Sequence, residues 1–192
     1  MAITFGYRPV VPGCVAADAL AFDGWSKDTS LDLHRQHNDG GTNTKDGSFY
    51  SLKCTPSVAD EWLKWPVAAM QTQADFTQRF AGRNVTFGAW VKTSTATHVR
   101  LMLYDGDYDT SGYHTGGGAW EWIEITGTIS ASAAVFDARF EFKQSSGVAY
   151  ISQPTLVWGS AIGEGGYSAP SGEVVWFEKQ VDSNKYEGLT GQ

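Results

Sequence analysis

The chain has 192 residues, a formal net charge of −7, 18% charged residues, 14% aromatic residues and 22 glycines. The length predicts one domain, and the acidity excludes the basic surface that nucleic-acid-binding proteins normally carry. The aromatic content excludes a disordered chain, and the glycine content disfavours a helical bundle. No apolar run approaches the roughly 20 residues needed to cross a bilayer, so we expect no membrane insertion.

Residues 1–46 differ from the rest of the chain in their prolines, scattered glycines and a polar stretch at 34–43. Hydrophobic alternation is weak there, and only residues 30–34 alternate like a short strand. We therefore predict an extended N-terminal arm followed by edge strands.

From residue 47 onward, apolar stretches typical of strands recur at short intervals, separated by clusters of Gly, Asp, Ser and Thr. This spacing predicts an antiparallel β-sandwich. A short helical turn is predicted over residues 74–80. The predicted strands cover residues 49–54, 62–65, 85–91, 99–104, 120–129, 135–142, 148–157 and 174–181.

Alternation within four of these strands separates an inward face from an outward face. Phe87, Leu101, Ile123 and Phe140 fall on the inward face. If the strands share a sheet, the outward side chains form one surface of aromatic and charged groups, which marks a ligand site or an interface. The predicted members of this surface are Trp90, Arg100, Tyr104, Trp122, Glu124, Arg139 and Glu141.

Four stretches carry a resemblance to a known family: residues 46–53 (DGSFYSLK), 80–92 (FAGRNVTFGAWVK), 114–123 (HTGGGAWEWI) and 149–156 (AYISQPTL). Through them the sequence resembles the jelly-roll carbohydrate-binding modules of the cellulose- and xylan-binding type, which also recur in bacteriophage virion proteins. The resemblance implies an all-β fold, with an antiparallel jelly-roll sandwich at residues 47–159. An N-terminal arm with edge strands at 1–46 and a C-terminal extension at 160–192 would flank it.

Two functions follow from this resemblance. The sequence starts at Met1 without a secretory signal or room for a catalytic domain, which favours a virion protein assembled in the host cytoplasm. We expect a non-enzymatic structural protein of the phage particle, either a capsid decoration or a tail or fibre component. The alternative is a carbohydrate- or receptor-binding module that uses the aromatic surface.

Catalytic motifs give no support for an enzyme. The sequence contains no nucleophile elbow, phosphate-binding glycine loop or His-Glu-x-x-His pair. Glu124 and Glu141 are the only carboxylates on the predicted surface that could form a glycosidase pair. Salt bridges to Arg100 or Arg139 explain these two carboxylates at least as well.

A calcium loop and a plain solvated turn are both open interpretations of residues 105–112. Asp105, Asp107 and Asp109 alternate as oxygen ligands of a hard cation do, but Gly116 stands where an EF-hand needs a bidentate Glu. Apart from this calcium, we expect no cofactor.

The other metal-binding and redox residues form no specific pattern. His34, His37 and His114 could bind a transition metal, although their spacing matches no known site. Cys14 and Cys54 are interpreted as inert thiols, with a single bridge between them as the alternative.

The terminal sections predict assembly. Residues 1–30 and 160–192 carry large aromatic side chains that a disordered tail would normally lack. We therefore expect a homo-oligomer, most simply a trimer, with other virion proteins and a glycan as further partners.

Overall fold

A computed structural model describes residues 2–4, 25–37, 43–45, 50–66, 80–159 and 161–163. Eleven strands lie within these ranges. They are β1 (Ala2–Thr4), β2 (Ser26–Lys27), β3 (Asp32–His37), β4 (Tyr50–Thr55), β5 (Glu61–Pro66), β6 (Asn84–Thr93), β7 (Val99–Tyr104), β8 (Tyr108–Thr110), β9 (Trp120–Thr128), β10 (Asp137–Phe142) and β11 (Ala149–Trp158).

The strands form two antiparallel sheets. Five strands of the six-stranded sheet follow the order β3-β4-β11-β6-β9. The sixth strand, β1, pairs with the C-terminal half of β11. The five-stranded sheet has the order β2-β5-β10-β7-β8. The chain changes sheet after every strand except β3 and β7, so most neighbours in sequence are not neighbours in a sheet. The expected antiparallel jelly-roll sandwich is confirmed.

The core lies between the two sheets and consists of the side chains that alternation assigned inward. Phe87, Leu101 and Phe140 are fully buried, and Ile123 is buried with them. The rings of Phe87 and Phe140 meet edge-to-face across the sheets, with centroids 5.2 Å apart. The two sheets are therefore joined by a dry aromatic and aliphatic core.

Part of the N-terminal section belongs to this sandwich. Strand β2 pairs with β5 and β3 pairs with β4, each at an edge of its sheet. Leu31 and Leu33 are buried in the core. The division at residues 46 and 159 stays a prediction. Residues 5–24 and 164–192, which make up most of the predicted arms, lie outside the described residues, as do residues 74–79 of the predicted helical turn and the predicted strand 174–181.

Cys54 is a free thiol buried in the core between the sheets. Burial, reinforced by the nearby Asp32 carboxylate, raises the pKa of this thiol well above its ordinary value. Cys54 is thus an inert apolar group, and Cys14 lies outside the described residues. No helix in the described ranges is long and apolar enough to cross a membrane.

Candidate functional site

The single predicted surface is in fact two surfaces on opposite sides of the sandwich, so the prediction that these strands share a sheet is wrong. Trp90, Trp122 and Glu124 lie on β6 and β9 of the six-stranded sheet. The other four members lie on β7 and β10 of the five-stranded sheet; they are Arg100, Tyr104, Arg139 and Glu141. Alternation distinguishes inside from outside, but a sandwich has two outer faces.

The outer face of the five-stranded sheet carries aromatic rings on three strands. Tyr104 on β7 lies beside Tyr108 on the edge strand β8, with ring centroids 4.6 Å apart. Trp62 on β5 lies on the outer face, since side chains alternate along a strand and its neighbours Glu61 and Leu63 are both buried. Tyr108 is 52% exposed, and Tyr104 and Trp62 are half-buried. These rings give the face apolar surfaces that water reaches.

Arg139 on β10 lies at the centre of these rings. Its guanidinium carbon is 4.3 Å from the Tyr104 ring centroid, 5.5 Å from that of Tyr108 and 5.9 Å from that of Trp62. Its Nη2 donates to Asp137 Oδ2 at 2.6 Å, and its Nη1 donates to the Tyr108 hydroxyl at 3.3 Å. Cation–π contacts and charged hydrogen bonds thus hold the guanidinium in one position.

A second charged pair lies on the same face, next to Trp62. The Arg100 guanidinium binds the Glu141 carboxylate through both Nε and Nη2, and the Tyr113 hydroxyl donates to Glu141 Oε2 at 3.2 Å. The hydrogen bond to Glu141 raises the pKa of Arg100, and burial raises the pKa of Tyr113. Both groups therefore stay protonated, and the pair is a fixed polar element of the face.

The outer face of the six-stranded sheet is covered by other parts of the chain. Trp90 is only 7% exposed; its ring packs edge-to-face on Trp122, and the Lys45 ammonium lies 4.2 Å from its centroid. Glu124 Oε2 accepts hydrogen bonds from the Trp122 indole and from the backbone N–H groups of Ile162 and Gly163. Lys45 thus lies over Trp90, and Ile162 and Gly163 share the Glu124 carboxylate with the Trp122 indole.

The carboxylates considered for catalysis are far from forming a pair. Glu124 and Glu141 project from the outer faces of opposite sheets, with the core between them. A glycosidase needs its two carboxyl groups on either side of one glycosidic bond. These two residues therefore cannot act together as a glycosidase pair.

The carboxylates of the predicted calcium loop bind backbone groups instead of one common centre. Asp105 Oδ2 accepts from the N–H of Ser130 at 2.6 Å, and Asp107 Oδ1 accepts from the N–H of Tyr108 at 2.8 Å. Asp109 lies on β8, a strand that the sequence does not predict because its residues stand in an aspartate-rich run. Within the described residues, no three His, Cys, Asp or Glu side chains gather into a metal-binding group. The calcium loop and the solvated turn both stay open interpretations, and these backbone contacts favour the turn.

The histidines considered as metal ligands are separated. The buried His114 ring accepts from the N–H of Gly116 through Nδ1, and its Nε2 lies 3.1 Å from the carbonyl oxygen of Val91. His34 is exposed and contacts Asp32 at 2.8 Å. His37 is the end of β3, and its side chain lies outside the described part. Because both ring nitrogens of His114 have partners, its role here is structural.

Sequence reasoning missed Trp62, Lys64 and Tyr108. Alternation in β5, where Leu63 and Trp65 are buried, could have placed Trp62 and Lys64 on the outer face. Tyr108 had no comparable signal, because its three-residue strand lies within a run of aspartates.

No family model matches the sequence, and no curated protein matches it. Solved structures do share the fold. The CBM22-1 xylan-binding domain of Paenibacillus barcinonensis Xyn10C superposes with a TM-score of 0.57 and 11% identity, covering 84% of this chain and 94% of that domain. The C-terminal family 22 carbohydrate-binding module of Clostridium thermocellum Xyn10B gives a TM-score of 0.54 and 16% identity, covering 85% of this chain and 95% of that one. The fold is a jelly roll of the carbohydrate-binding-module type.

A phage protein shares this fold as well. The enzymatically active domain of bacteriophage CBA120 tailspike protein 4 gives a TM-score of 0.50 and 12% identity, covering 71% of this chain and 19% of that one. At these identities, the similarities establish the fold and leave the ligand to be argued from the site.

Proposed function

We propose that this protein is a non-enzymatic glycan-binding module that uses the outer face of the five-stranded sheet. The observation that carries the proposal is the arrangement of Trp62, Tyr104 and Tyr108 around the Arg139–Asp137 pair. Sugar rings stack their apolar faces on aromatic rings, and their hydroxyls hydrogen-bond to fixed polar groups between those rings. This face offers both on one sheet.

The structural neighbours support the same proposal. Two of them are described as a xylan-binding domain and as a carbohydrate-binding module, and each is covered almost entirely by this chain. The opposite face is the weaker candidate, since Trp90 is buried and the Glu124 carboxylate beside Trp122 already binds the N–H groups of Ile162 and Gly163. A sugar stacking on Trp90 would have to displace the side chains that bury it.

Titration of the purified protein with xylo-, cello- and galacto-oligosaccharides, followed by calorimetry, tests this proposal. Tyr108→Ala should lower affinity at least tenfold without lowering the melting temperature, because the ring is half exposed and contacts Tyr104 on one side. Tyr150→Ala is the matched control, since Tyr150 is half-buried on the outer face of the other sheet and, like Tyr108, has a cation near its ring. Equal losses in both variants, or no binding to any glycan, would contradict the proposal.

A structural role in a phage particle is the second candidate. The similarity to the tailspike domain supports it, and a glycan-binding face would suit a particle that attaches to a cell surface. In this role the protein would be a capsid decoration or a tail or fibre component, assembled as a homo-oligomer such as a trimer. Electron microscopy and sedimentation of the full chain test it: a stable monomer absent from particles would contradict the virion role.

A further inference from the structure

The outer face of the five-stranded sheet balances its charges, although the chain as a whole is acidic. Its outward positions on β5, β7 and β10 hold the cations Lys64, Arg100 and Arg139 and the carboxylates Asp137 and Glu141. A third carboxylate, Asp28, accepts a hydrogen bond from the Trp62 N–H at 2.8 Å. The whole chain, by contrast, has 14 Lys and Arg against 21 Asp and Glu. The face that carries the exposed rings thus lacks the negative excess of the whole chain.

Lys64 is the least tightly paired of these three cations. Glu141 is taken up by Arg100, and the single Asp137 carboxylate must serve both Arg139 and Lys64. Arg139 Nη2 is 2.6 Å from Asp137 Oδ2, while Lys64 Nζ is 3.4 Å from the same oxygen. The guanidinium therefore compensates most of the carboxylate's charge, and the ammonium is only weakly paired.

Lys64 is also placed where a ligand on the rings would meet it. Its ammonium lies 4.8 Å from the Trp62 ring centroid, and its side chain is 26% exposed. Other carboxylates near the ends of the sheet have partners of their own. Asp60 pairs with Lys143, and Asp105 accepts from the Ser130 N–H. A cation beside a stacking ring favours a ligand whose negative charge is attached to a sugar ring.

We propose that this face selects glycans that carry carboxylate groups, such as uronates, over neutral glycans with the same backbone. The inference rests on the proposed glycan-binding function and adds the chemical class of the ligand. Lys64 supplies the cation for the ligand carboxylate, and Trp62 supplies the adjoining ring. The Arg100–Glu141 pair is already compensated and contributes hydrogen bonds only.

The test compares matched pairs of glycans: an oligogalacturonate with its carboxyl-reduced product, and a glucuronate-bearing xylo-oligosaccharide with the unsubstituted one. Polyglutamate serves as a carboxylate polymer without sugar rings. The wild type should bind the acidic member of a pair at least threefold more tightly, a ratio that should fall as salt is added. Lys64→Gln should weaken binding of the acidic member about threefold more than binding of its neutral counterpart.

Lys92→Gln is the control, because Lys92 is a cation near a tyrosine ring on the outer face of the opposite sheet. It should leave the ratio as in the wild type. Equal binding of both members of every pair would overturn the carboxylate preference while supporting the glycan-binding function. Polyglutamate binding as tightly as the acidic glycans would also overturn it, since plain charge attraction would then suffice. Binding to no glycan would overturn both proposals.

Discussion

The Trp122 indole on β9 lies over Gly88 on the neighbouring strand β6, in the space that a Cβ would occupy. Gly88 is the cross-strand partner of Glu124, the residue two positions after Trp122. The Glu124 carboxylate accepts the hydrogen bond from the Trp122 indole, and the missing side chain at Gly88 leaves room for the indole ring. The small residue is thus required by a specific side-chain contact, since no left-handed backbone conformation calls for it.

Gly88→Ala should push the Trp122 ring off the sheet. We expect a loss of about 1–3 kcal/mol in the free energy of unfolding, the usual cost of overpacking, and a red shift in tryptophan emission as the indole meets water. Urea denaturation followed by fluorescence measures both. Gly112→Ala is the control, because nothing lies within 4 Å of its Cβ position. A Gly88 variant as stable as the control would contradict this placement of the ring.

Phe140→Ala should destabilise the sandwich by about 3–5 kcal/mol through the cavity that it leaves. Phe140 is fully buried and contacts both Phe87 and Trp25. Val58→Ala, at a position 51% exposed, should change the stability by less than about 0.5 kcal/mol. Chemical denaturation compares the two variants, and similar losses would show that the core is assigned to the wrong face.

His98 should make the fold sensitive to acid. Its ring is fully buried with neither nitrogen hydrogen-bonded, and burial, with a smaller effect from His114, lowers its pKa below the ordinary 6.5. The unfolded chain therefore takes up a proton as the pH falls through about 6.5, before the native ring does, so stability is lost on the acid side.

Melting temperatures of the wild type should fall from pH 7.5 to pH 5.0, and less steeply in His98→Leu. His34→Leu, which changes an exposed histidine, should keep the wild-type slope. A His98→Leu slope equal to that of the wild type would mean that His98 is not the source of the acid sensitivity.

Calcium should have no effect on stability, since Asp105 and Asp107 already accept backbone hydrogen bonds within the turn. A ligand specific to the folded state would raise the melting temperature by mass action. Melting curves with millimolar calcium and with a chelator test this expectation. A higher melting temperature in calcium would favour a calcium loop at residues 105–109.

The sequence predicts the sandwich and its core well because alternation reports directly which side chains face inward. Phe87, Leu101, Ile123 and Phe140 are all buried as expected. Alternation carries no information about which sheet a strand joins, because that depends on pairing between distant segments. Trp90 and Arg100 were for this reason assigned to one surface, although β6 and β7 lie in different sheets.

Coverage of a face is likewise set by distant parts of the chain. Trp90 looks like an exposed aromatic in its own strand, yet Lys45 and Trp122 enclose it. Tyr108 shows the opposite error. Its aspartate-rich surroundings predict a plain turn, yet its ring is the most exposed one on the candidate site. Such contacts follow from tertiary pairing, which local patterns do not encode.

The most direct test of the glycan-binding face is a titration of protein carrying ¹⁵N-labelled tryptophan, observed through the indole N–H resonances. The Trp62 resonance, assigned with Trp62→Phe, should move on addition of a binding oligosaccharide. The resonances of Trp90 and Trp122, on the opposite side of the sandwich, should stay in place. Movement of the Trp90 and Trp122 resonances with Trp62 unchanged would contradict the account and place the glycan on the six-stranded sheet.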